Sequence, residues 1–377
     1  MLKKWKRIVV LGLVLCGTSA GLAAGEVILR LVGSRLWERL VSADLSYPWI
    51  GYHPILGWVN RPGTWAPGPD INSLGFRSRE TSLRKPDGSL RIVCLGDSRT
   101  FGLWTDQGGA FRYDNDYPAA LEQLLHEQGA HPAVEVINAG VIGYTSAQGL
   151  AQLQTQLLPL HPDVITVSFG FNDHSLAWNA ALGAREPRNR FARELFYLAS
   201  RSYWFRLGKA AYDALPSLHA TPFSERWVDL DAYWYNLHRI AEVGSQHGIH
   251  VLFVSQALRP IEMGESAQPF PGAPPDKTGL YHLLGVKDLG ELHQLDRSYR
   301  EVLSQVAEEE GVPLANASLA FTERQELLFG PYDLVHCNTA GAQVIAETIR
   351  QKLVELGWLL PPEDLRRASA STPPTKR

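Results

Sequence analysis

From residue 90 onward, short apolar segments alternate with amphipathic ones, and this alternation strongly constrains the fold. The apolar segments have the length of strands and lie at 91–95, 134–137, 164–167, 250–255 and 312–315. Apolar residues recur with helical spacing at 117–125, 146–158, 231–247, 290–309 and 339–356. Strands that alternate with helices predict right-handed crossovers and a parallel sheet covered by helices on both faces. The sequence therefore predicts an α/β fold with a parallel five-stranded sheet.

The rest of the chain divides by composition. We expect residues 1–41 to form an N-terminal signal anchor with a helical extension, followed by a Pro/Gly-rich lead-in segment at 42–89. The α/β domain covers 90–358. Residues 359–377 are polar and predict a disordered tail.

Two stretches interrupt the alternation and predict insertions in the α/β domain. Residues 174–230 are rich in aromatic residues and arginine, and residues 259–289 are rich in proline and glycine. Both follow strand ends, where open parallel sheets bind their ligands. Either they overhang a site there or they pack at the periphery.

The N-terminus has the pattern of a targeting segment. The basic residues 3–7 precede 18 uncharged residues, Ile8–Gly25. This pattern predicts a single-pass transmembrane helix in the bacterial cytoplasmic membrane, with the α/β domain on the periplasmic or extracellular side. A cleaved signal peptide is the alternative, since small residues at Ala20 and Ala23 permit cleavage.

Composition excludes several classes of protein. The chain has 36 Lys and Arg against 39 Asp and Glu, a net charge of −3, which argues against nucleic acid as a partner. Three cysteines without a Cys-x-x-Cys pair exclude a disulfide scaffold and the usual zinc ribbons. No spacing of ligand residues suggests a metal site, and we expect no metal and no other cofactor.

Polar or small residues follow the first three predicted strands and precede the last helix. Ser98 follows the first strand, Gly140 the second and Asn172 the third, while Asp333 and His336 lie before the final helix. A serine hydroxyl needs a base to attack at neutral pH, and a carboxylate orients such a histidine. A glycine N–H and an asparagine amide suit a developing oxyanion. Each motif alone is an ordinary turn or helix cap, but their order together is specific.

This order resembles the SGNH hydrolases, also called the GDSL esterase/lipase family, over residues 90–356. The resemblance implies a flavodoxin-like three-layer α/β/α sandwich. It implies that Ser98 is the nucleophile, His336 the general base and Asp333 the residue that orients His336. The backbone N–H groups of Ser98 and Gly140 and the side chain of Asn172 would form the oxyanion hole.

Residues near these motifs carry weaker expectations. We expect Asp97 to be structural and Arg99 to be solvated, although Arg99 could meet an anionic substrate group. Cys94 and Cys337 either form a disulfide or remain buried thiols.

The resemblance implies a carboxylic ester hydrolase acting on short-chain acyl esters. Plausible substrates are small acyl esters or acylated carbohydrate, such as O-acetyl groups of cell-envelope or extracellular polysaccharide. Two alternatives stay open at this point: an O-acyltransferase that modifies envelope polysaccharide, and a non-catalytic envelope binding protein.

Overall fold

The computed structural model describes residues 2–40, 48–65, 68–106, 110–127, 134–175, 190–215, 226–259, 284–324, 328–330 and 333–359. Its helices are α1 (Leu2–Leu40), α2 (Ser98–Phe101), α3 (Tyr117–Glu127), α4 (Ser146–Gln152), α5 (Phe171–His174), α6 (Arg190–Ala199), α7 (Tyr203–Asp213), α8 (Leu230–Gln246), α9 (Leu289–Glu310), α10 (Ala317–Thr322) and α11 (Thr339–Glu355). Its strands are β1 (Ile50–His53), β2 (Gly57–Asn60), β3 (Gly63–Thr64), β4 (Asp70–Ile71), β5 (Leu90–Gly96), β6 (Trp104–Thr105), β7 (Phe111–Arg112), β8 (Val134–Asn138), β9 (Val164–Ser168), β10 (His250–Val254) and β11 (Leu314–Ala315).

A five-stranded sheet with the order β8-β5-β9-β10-β11 organises the α/β domain, and all its strands are parallel. The predicted five strands and the α/β class are confirmed. The connection from β5 to β8 runs toward one edge of the sheet. The connections from β8 past β5 to β9, and then to β10 and β11, run toward the other edge. Right-handed crossovers in opposite directions place their helices on opposite faces, which gives three layers.

Burial explains why every residue of β5 except Arg91 is apolar. All seven of its residues are buried because the strand pairs with β8 on one side and with β9 on the other. On α3, Tyr117, Leu121 and Leu125 are buried, and this helix packs against α11. On the other face α8 packs against α4 and α9.

The chain forms two compact units, and each draws on two separate stretches of sequence. One consists of residues 1–59 and 179–221, and the other of residues 60–178 and 222–377, which hold the sheet. In the first unit α1 packs against α7 and β1. The Glu26 carboxylate of α1 accepts the N–H of Tyr203 at 2.9 Å, where a negative charge stabilises the N-terminus of α7.

Several predictions concern the ends and the insertions of the chain. No helix within the described residues is long and apolar enough to cross a membrane, so the predicted transmembrane helix is not confirmed. The uncharged stretch leads, within α1, into charged side chains such as the Glu26–Arg30 pair, whose atoms lie 3.4 Å apart. Residues 176–189, 216–225, 260–283 and 360–377 lie outside the described part, and with them much of both insertions and the predicted tail.

Candidate active site

Ser98 lies where the central strand β5 turns into the short helix α2. The turn is tight at Gly96, because a Cβ there would lie 2.8 Å from the Ser168 carbonyl oxygen. Asp97 caps α2 by accepting the Arg99 N–H at 2.9 Å, which leaves Ser98 as the first helical residue. The N–H groups of a helix's first turn have no helical acceptor, so the Ser98 N–H points out of the helix end.

His336 and Asp333 lie in the loop before α11 and reach Ser98 across the sheet edge. His336 Nε2 lies 2.8 Å from Ser98 Oγ, and His336 Nδ1 lies 2.9 Å from Asp333 Oδ2. The three side chains are therefore in a continuous hydrogen-bonded line. All three residues are buried. With Asp333 ionised, His336 donates from Nδ1 to the carboxylate, and Nε2 accepts the Ser98 hydroxyl proton.

The surroundings of Asp333 keep it ionised. Burial by itself raises the pKa of Asp333. The charge of His336 and the hydrogen bonds from His336 and Val335 lower this pKa by more than burial raises it. The net pKa therefore lies below its usual value. Thr105 Oγ1 adds a hydrogen bond of 3.0 Å to Asp333 Oδ2.

Asn172 lies in α5, directly beyond the end of β9. Its backbone follows Gly170, whose φ of 144° is open to glycine but rarely to other residues. The Asn172 Nδ2 group donates to the Tyr144 carbonyl at 2.9 Å, so this side chain lies against the loop that follows β8. One hydrogen of the amide makes this bond, and the second remains for another acceptor.

Gly140 lies in the loop after β8, but its N–H is already used. It donates to Asn138 Oδ1 at 2.9 Å. The absence of a side chain serves packing, because a Cβ at Gly140 would lie 2.7 Å from the Thr100 carbonyl carbon. In this conformation Gly140 brings the loop close to α2 and does not present a free donor, so its predicted part in the oxyanion hole stays a prediction.

A second glycine of the same loop fits the donor role better. Gly143 has a φ of 81° and lies in a turn closed by the bond from Tyr144 N to Val141 O at 3.2 Å. Its N–H has no acceptor among the described residues, and the carbonyl of the next residue, Tyr144, holds Asn172. In the sequence, the signal for this donor is a second glycine after β8, two residues before Thr145, which caps α4.

The two charged neighbours of Ser98 differ in outcome. Asp97 makes structural contacts, through Arg99 N and through Gln256 Nε2 at 2.9 Å. Arg99 is not solvated as expected, since it is only 6% exposed. Its Nη1 donates to the Ala257 carbonyl at 2.8 Å, and its Cζ lies 5.7 Å from the Phe171 ring centre. The Arg99 guanidinium thus lies beside Phe171, the first residue of α5, and a sequence pattern does not show this contact.

Other predicted features have simple outcomes. Cys94 and Cys337 are buried free thiols, so the alternative of a disulfide is not realised. Burial raises the pKa of both thiols to about 12, which leaves them protonated and unreactive.

Within the described ranges, no group of three or more His, Cys, Asp or Glu side chains could hold a metal ion. Sequence reasoning missed Thr105 and Gln256, which contact Asp333 and Asp97.

A serine, a histidine and a carboxylate in line at the carboxyl end of a parallel sheet define a serine hydrolase type of site. Comparison with known sequences then gives the family. The model of the GDSL-like Lipase/Acylhydrolase family matches residues 94–344, and the chain belongs to this family. The family places it among the carboxylic ester hydrolases.

Individual relatives are distant. An uncharacterized lipoprotein, YqeF of Bacillus subtilis (strain 168), is 27% identical over 112 residues, which are 29% of this chain and 42% of that protein. The match thus spans less than half of the relative's length. The lipase/acylhydrolase from Enterococcus faecalis is 19% identical with a TM-score of 0.43, over 72% of this chain and 98% of that one. Axe2, an acetylxylan esterase from Geobacillus stearothermophilus, is 17% identical with a TM-score of 0.42, over 70% and 94%.

Proposed function

We propose that this protein hydrolyses short-chain carboxylic esters through an acyl-enzyme on Ser98, and that its substrates are O-acetyl groups of cell-envelope or extracellular carbohydrate. The observation that carries the proposal is the line from Ser98 Oγ to His336 Nε2, 2.8 Å, and from His336 Nδ1 to Asp333, 2.9 Å. This geometry supports the proposal, because a histidine held by a carboxylate is the base that a serine hydroxyl needs for attack at neutral pH.

The reaction follows from these contacts. His336 Nε2 takes the hydroxyl proton while Ser98 Oγ attacks the ester carbonyl carbon, and the ionised Asp333 stabilises the imidazolium that forms. Collapse of the tetrahedral intermediate breaks the bond to the alcohol oxygen, which receives the proton from His336. Water then attacks the acyl-enzyme with His336 as base, and the carboxylic acid leaves Ser98.

The intermediate's negative oxygen needs donors that are in place beforehand. Ser98 N–H and the second amide hydrogen of Asn172 are two of them. We propose the Gly143 N–H as the third, because the Gly140 N–H is bonded to Asn138. Loss of one such donor slows turnover about 10²–10³-fold in comparable sites.

The proposed preference for short acyl groups concerns the amount of apolar surface beside Ser98. The described side chains at the neighbouring strand ends are mixed, since Ser168 and Gln256 are polar and buried, whereas Phe171 is apolar and buried. Each additional methylene of an acyl chain stabilises binding by about 0.8 kcal/mol when apolar side chains bury it. A long acyl chain therefore depends on a long apolar surface, whereas an acetyl group does not.

The first experiment compares p-nitrophenyl acetate, butyrate and octanoate as substrates of the full chain and of its Ser98→Ala variant. We expect turnover to be fastest with acetate and to be lost in Ser98→Ala. Turnover that persists in Ser98→Ala would contradict the nucleophile, and octanoate as the fastest substrate would contradict the short-chain preference.

An O-acyltransferase would use the same acyl-enzyme and pass the acyl group to a sugar hydroxyl. Product analysis with an acetylated donor and an added oligosaccharide separates the two. We expect all of the released acetyl as free acetate. Acetylated oligosaccharide as the main product would replace hydrolysis by transfer, while labelling of Ser98 by a fluorophosphonate would still identify the nucleophile.

We also propose that the protein is exported. The basic residues 3–7 followed by uncharged Ile8–Gly25 support this, because such a pattern directs the following chain across the cytoplasmic membrane. Fractionation of bacterial cells tests it, and sequencing of the mature N-terminus shows whether the segment is retained. Recovery of the activity in the cytoplasmic fraction would contradict export.

A further inference from the structure

The segment that follows β10, residues 256–259, contacts all three loops that carry the candidate site, although it supplies no reacting group. Gln256 contacts the loop of Ser98 and the loop of Asn172. The Ala257 carbonyl accepts Arg99 Nη1 at 2.8 Å, beside Ser98. Arg259 N donates to the Leu334 carbonyl at 3.0 Å, between Asp333 and His336.

Gln256 makes the most specific of these contacts because its amide donates and accepts at the same time. Its Nε2 donates to Asp97 Oδ2 at 2.9 Å and to the Ser168 carbonyl at 3.2 Å. Its Oε1 accepts the Phe171 N–H at 3.1 Å. The residue is 4% exposed, so water does not compete for these bonds.

The two partners stand next to the residues that the reaction uses. Asp97 precedes Ser98, and Phe171 precedes Asn172 in the sequence. One rigid amide therefore fixes the distance between the nucleophile and a donor of the oxyanion hole. We propose that Gln256 is a positioning residue that sets the separation of Ser98 and Asn172, an inference that rests on the proposed function.

A change of about 1 Å in such a separation lowers turnover about 10²-fold in enzymes. Gln256→Met keeps the length of the side chain and its burial but removes its hydrogen bonds to Asp97 and to Phe171 N. We expect kcat for p-nitrophenyl acetate to fall about 10- to 100-fold with little change in KM, because the alignment of reacting groups changes rather than the binding of substrate.

The neighbouring residue provides a matched control. Ser255 is also buried, and its hydroxyl makes two hydrogen bonds of 3.0 Å, to Asn316 Oδ1 and from Ser318 N, away from the three loops. Ser255→Ala thus removes two buried hydrogen bonds from the same stretch of chain. We expect it to lower the melting temperature but to leave kcat within about threefold of the wild-type value.

A second variant tests the donated bond itself. Gln256→Glu keeps an acceptor for Phe171 N but places an ionised carboxylate against the Asp97 carboxylate. Protonation of the new Glu restores a donor, and the two carboxylates favour that protonation. We expect the ratio of the variant's kcat to the wild-type kcat to rise as the pH is lowered from 8 to 5. A role in packing alone would leave this ratio flat.

The outcomes separate the inference from the proposed function. If the wild-type chain hydrolyses no ester and Ser98 is not labelled by a fluorophosphonate, the proposed function fails. If the wild type is active but Gln256→Met loses no more kcat than Ser255→Ala, and the Gln256→Glu ratio is flat, the positioning role is overturned. If Gln256→Met does not fold, the pH dependence of Gln256→Glu decides by itself.

Discussion

Four hydrogen bonds converge on the Asp333 carboxylate, and this explains the orientation of His336. Oδ1 accepts the backbone N–H groups of Val335 and His336, each at 2.9 Å. Oδ2 accepts His336 Nδ1 and the Thr105 hydroxyl. The backbone bonds fix the carboxylate, and the carboxylate in turn fixes the imidazole with Nε2 toward Ser98.

Asp333→Asn keeps this shape but removes the charge. An amide presents either a donor or a neutral oxygen to His336 Nδ1, so the histidine loses the stabilisation of its protonated form and can take the wrong tautomer. We expect kcat for p-nitrophenyl acetate to fall about 10⁴-fold at pH 7, as such a substitution does in serine proteases. Initial rates under saturating substrate measure this, and a loss of less than tenfold would contradict the orienting role.

Packing against α2 explains why residue 140, a predicted site residue, is a glycine. A Cβ there would lie 2.7 Å from the Thr100 carbonyl carbon and 2.8 Å from Phe101 Cα. We expect Gly140→Ala to displace α2, to lower the free energy of unfolding by about 1–3 kcal/mol and to slow hydrolysis. Denaturant titration and initial rates measure the two effects.

Gly208 in α7 gives the control, because a Cβ placed there would have no described heavy atom within 4 Å apart from its chain neighbours and the backbone of its own helix. Alanine is the better helix former by about 1 kcal/mol, so Gly208→Ala should keep or raise stability and leave the rate unchanged. If Gly140→Ala and Gly208→Ala lowered the free energy of unfolding equally, the close approach at Gly140 would not contribute to stability.

The residue scale also shows what a sequence pattern predicts. Ser98, Asn172, Asp333 and His336 stand next to strand or helix ends, and the sheet topology alone brings such ends to one edge. Which loop glycine has a free N–H depends instead on the Asn138 side chain, which binds Gly140. Patterns of apolar residues carry no information about that contact.

At the scale of elements, the junction of α4 and α5 supports the Asn172 loop through a buried carboxyl group. Asp173 Oδ1 accepts the Ser146 N–H at 2.9 Å, which ties α5 to the first residue of α4. Asp173 Oδ2 and Asn236 Oδ1 have no hydrogen-bond partner among the described residues. Burial is the main cause that raises the pKa of Asp173, to about 7.

This shift predicts a pH dependence of stability. The folded-state pKa is raised above the unfolded value of about 3.9, so the stabilising protonation is complete below that value and is lost as the pH rises through about 7. Asp173→Asn does not titrate. We therefore expect the melting temperature of wild type to fall relative to that of Asp173→Asn between pH 5 and pH 8.

The exposed Asp231 of α8 supplies the control, because Asp231→Asn is the same substitution at a position on the surface of the protein. Its melting temperature should run parallel to that of the wild type over the same range of pH. A difference between wild type and Asp173→Asn that does not change with pH would show that the Asp173 carboxyl titrates in the folded protein as it does in water.

Elements that bury one continuous face could be predicted, and those that depend on distant partners could not. The apolar runs of β5, β8 and β9 gave the strands directly. The two-residue strands β6 and β7 pair with each other through Trp104 and Arg112, and neither has a periodicity of its own. Helices α6 and α7 lie in a stretch where aromatic and charged residues mix.

At the scale of the whole molecule, the division into units does not follow the order of the sequence. Residues 1–59 and 179–221 form one unit although more than a hundred residues separate them in the chain. Contacts such as that of Glu26 with the Tyr203 N–H hold these stretches together. Local patterns predict segments, but they do not state which segments share a core.

The sheet order predicts where the molecule resists local unfolding. Strand β5 forms five residue pairs with β8 and five with β9, whereas β11 forms two pairs with β10 and has no second neighbour among the described strands of the sheet. Amides exchange slowly where opening must break many buried contacts. We expect hydrogen exchange to be slowest in β5 and β9 and fastest, among the sheet strands, in β11.

Mass spectrometry of peptides covering 90–96, 164–168 and 314–315 measures this order directly. The consequence concerns the site, because Ser98 follows β5 and Asn172 follows β9. Openings at the β11 edge would then leave the nucleophile and the candidate oxyanion donor in place. Exchange in β5 as fast as in β11 would mean that the sheet opens from its centre, and that the positions of Ser98 and Asn172 depend on the surrounding loops rather than on the strands that precede them.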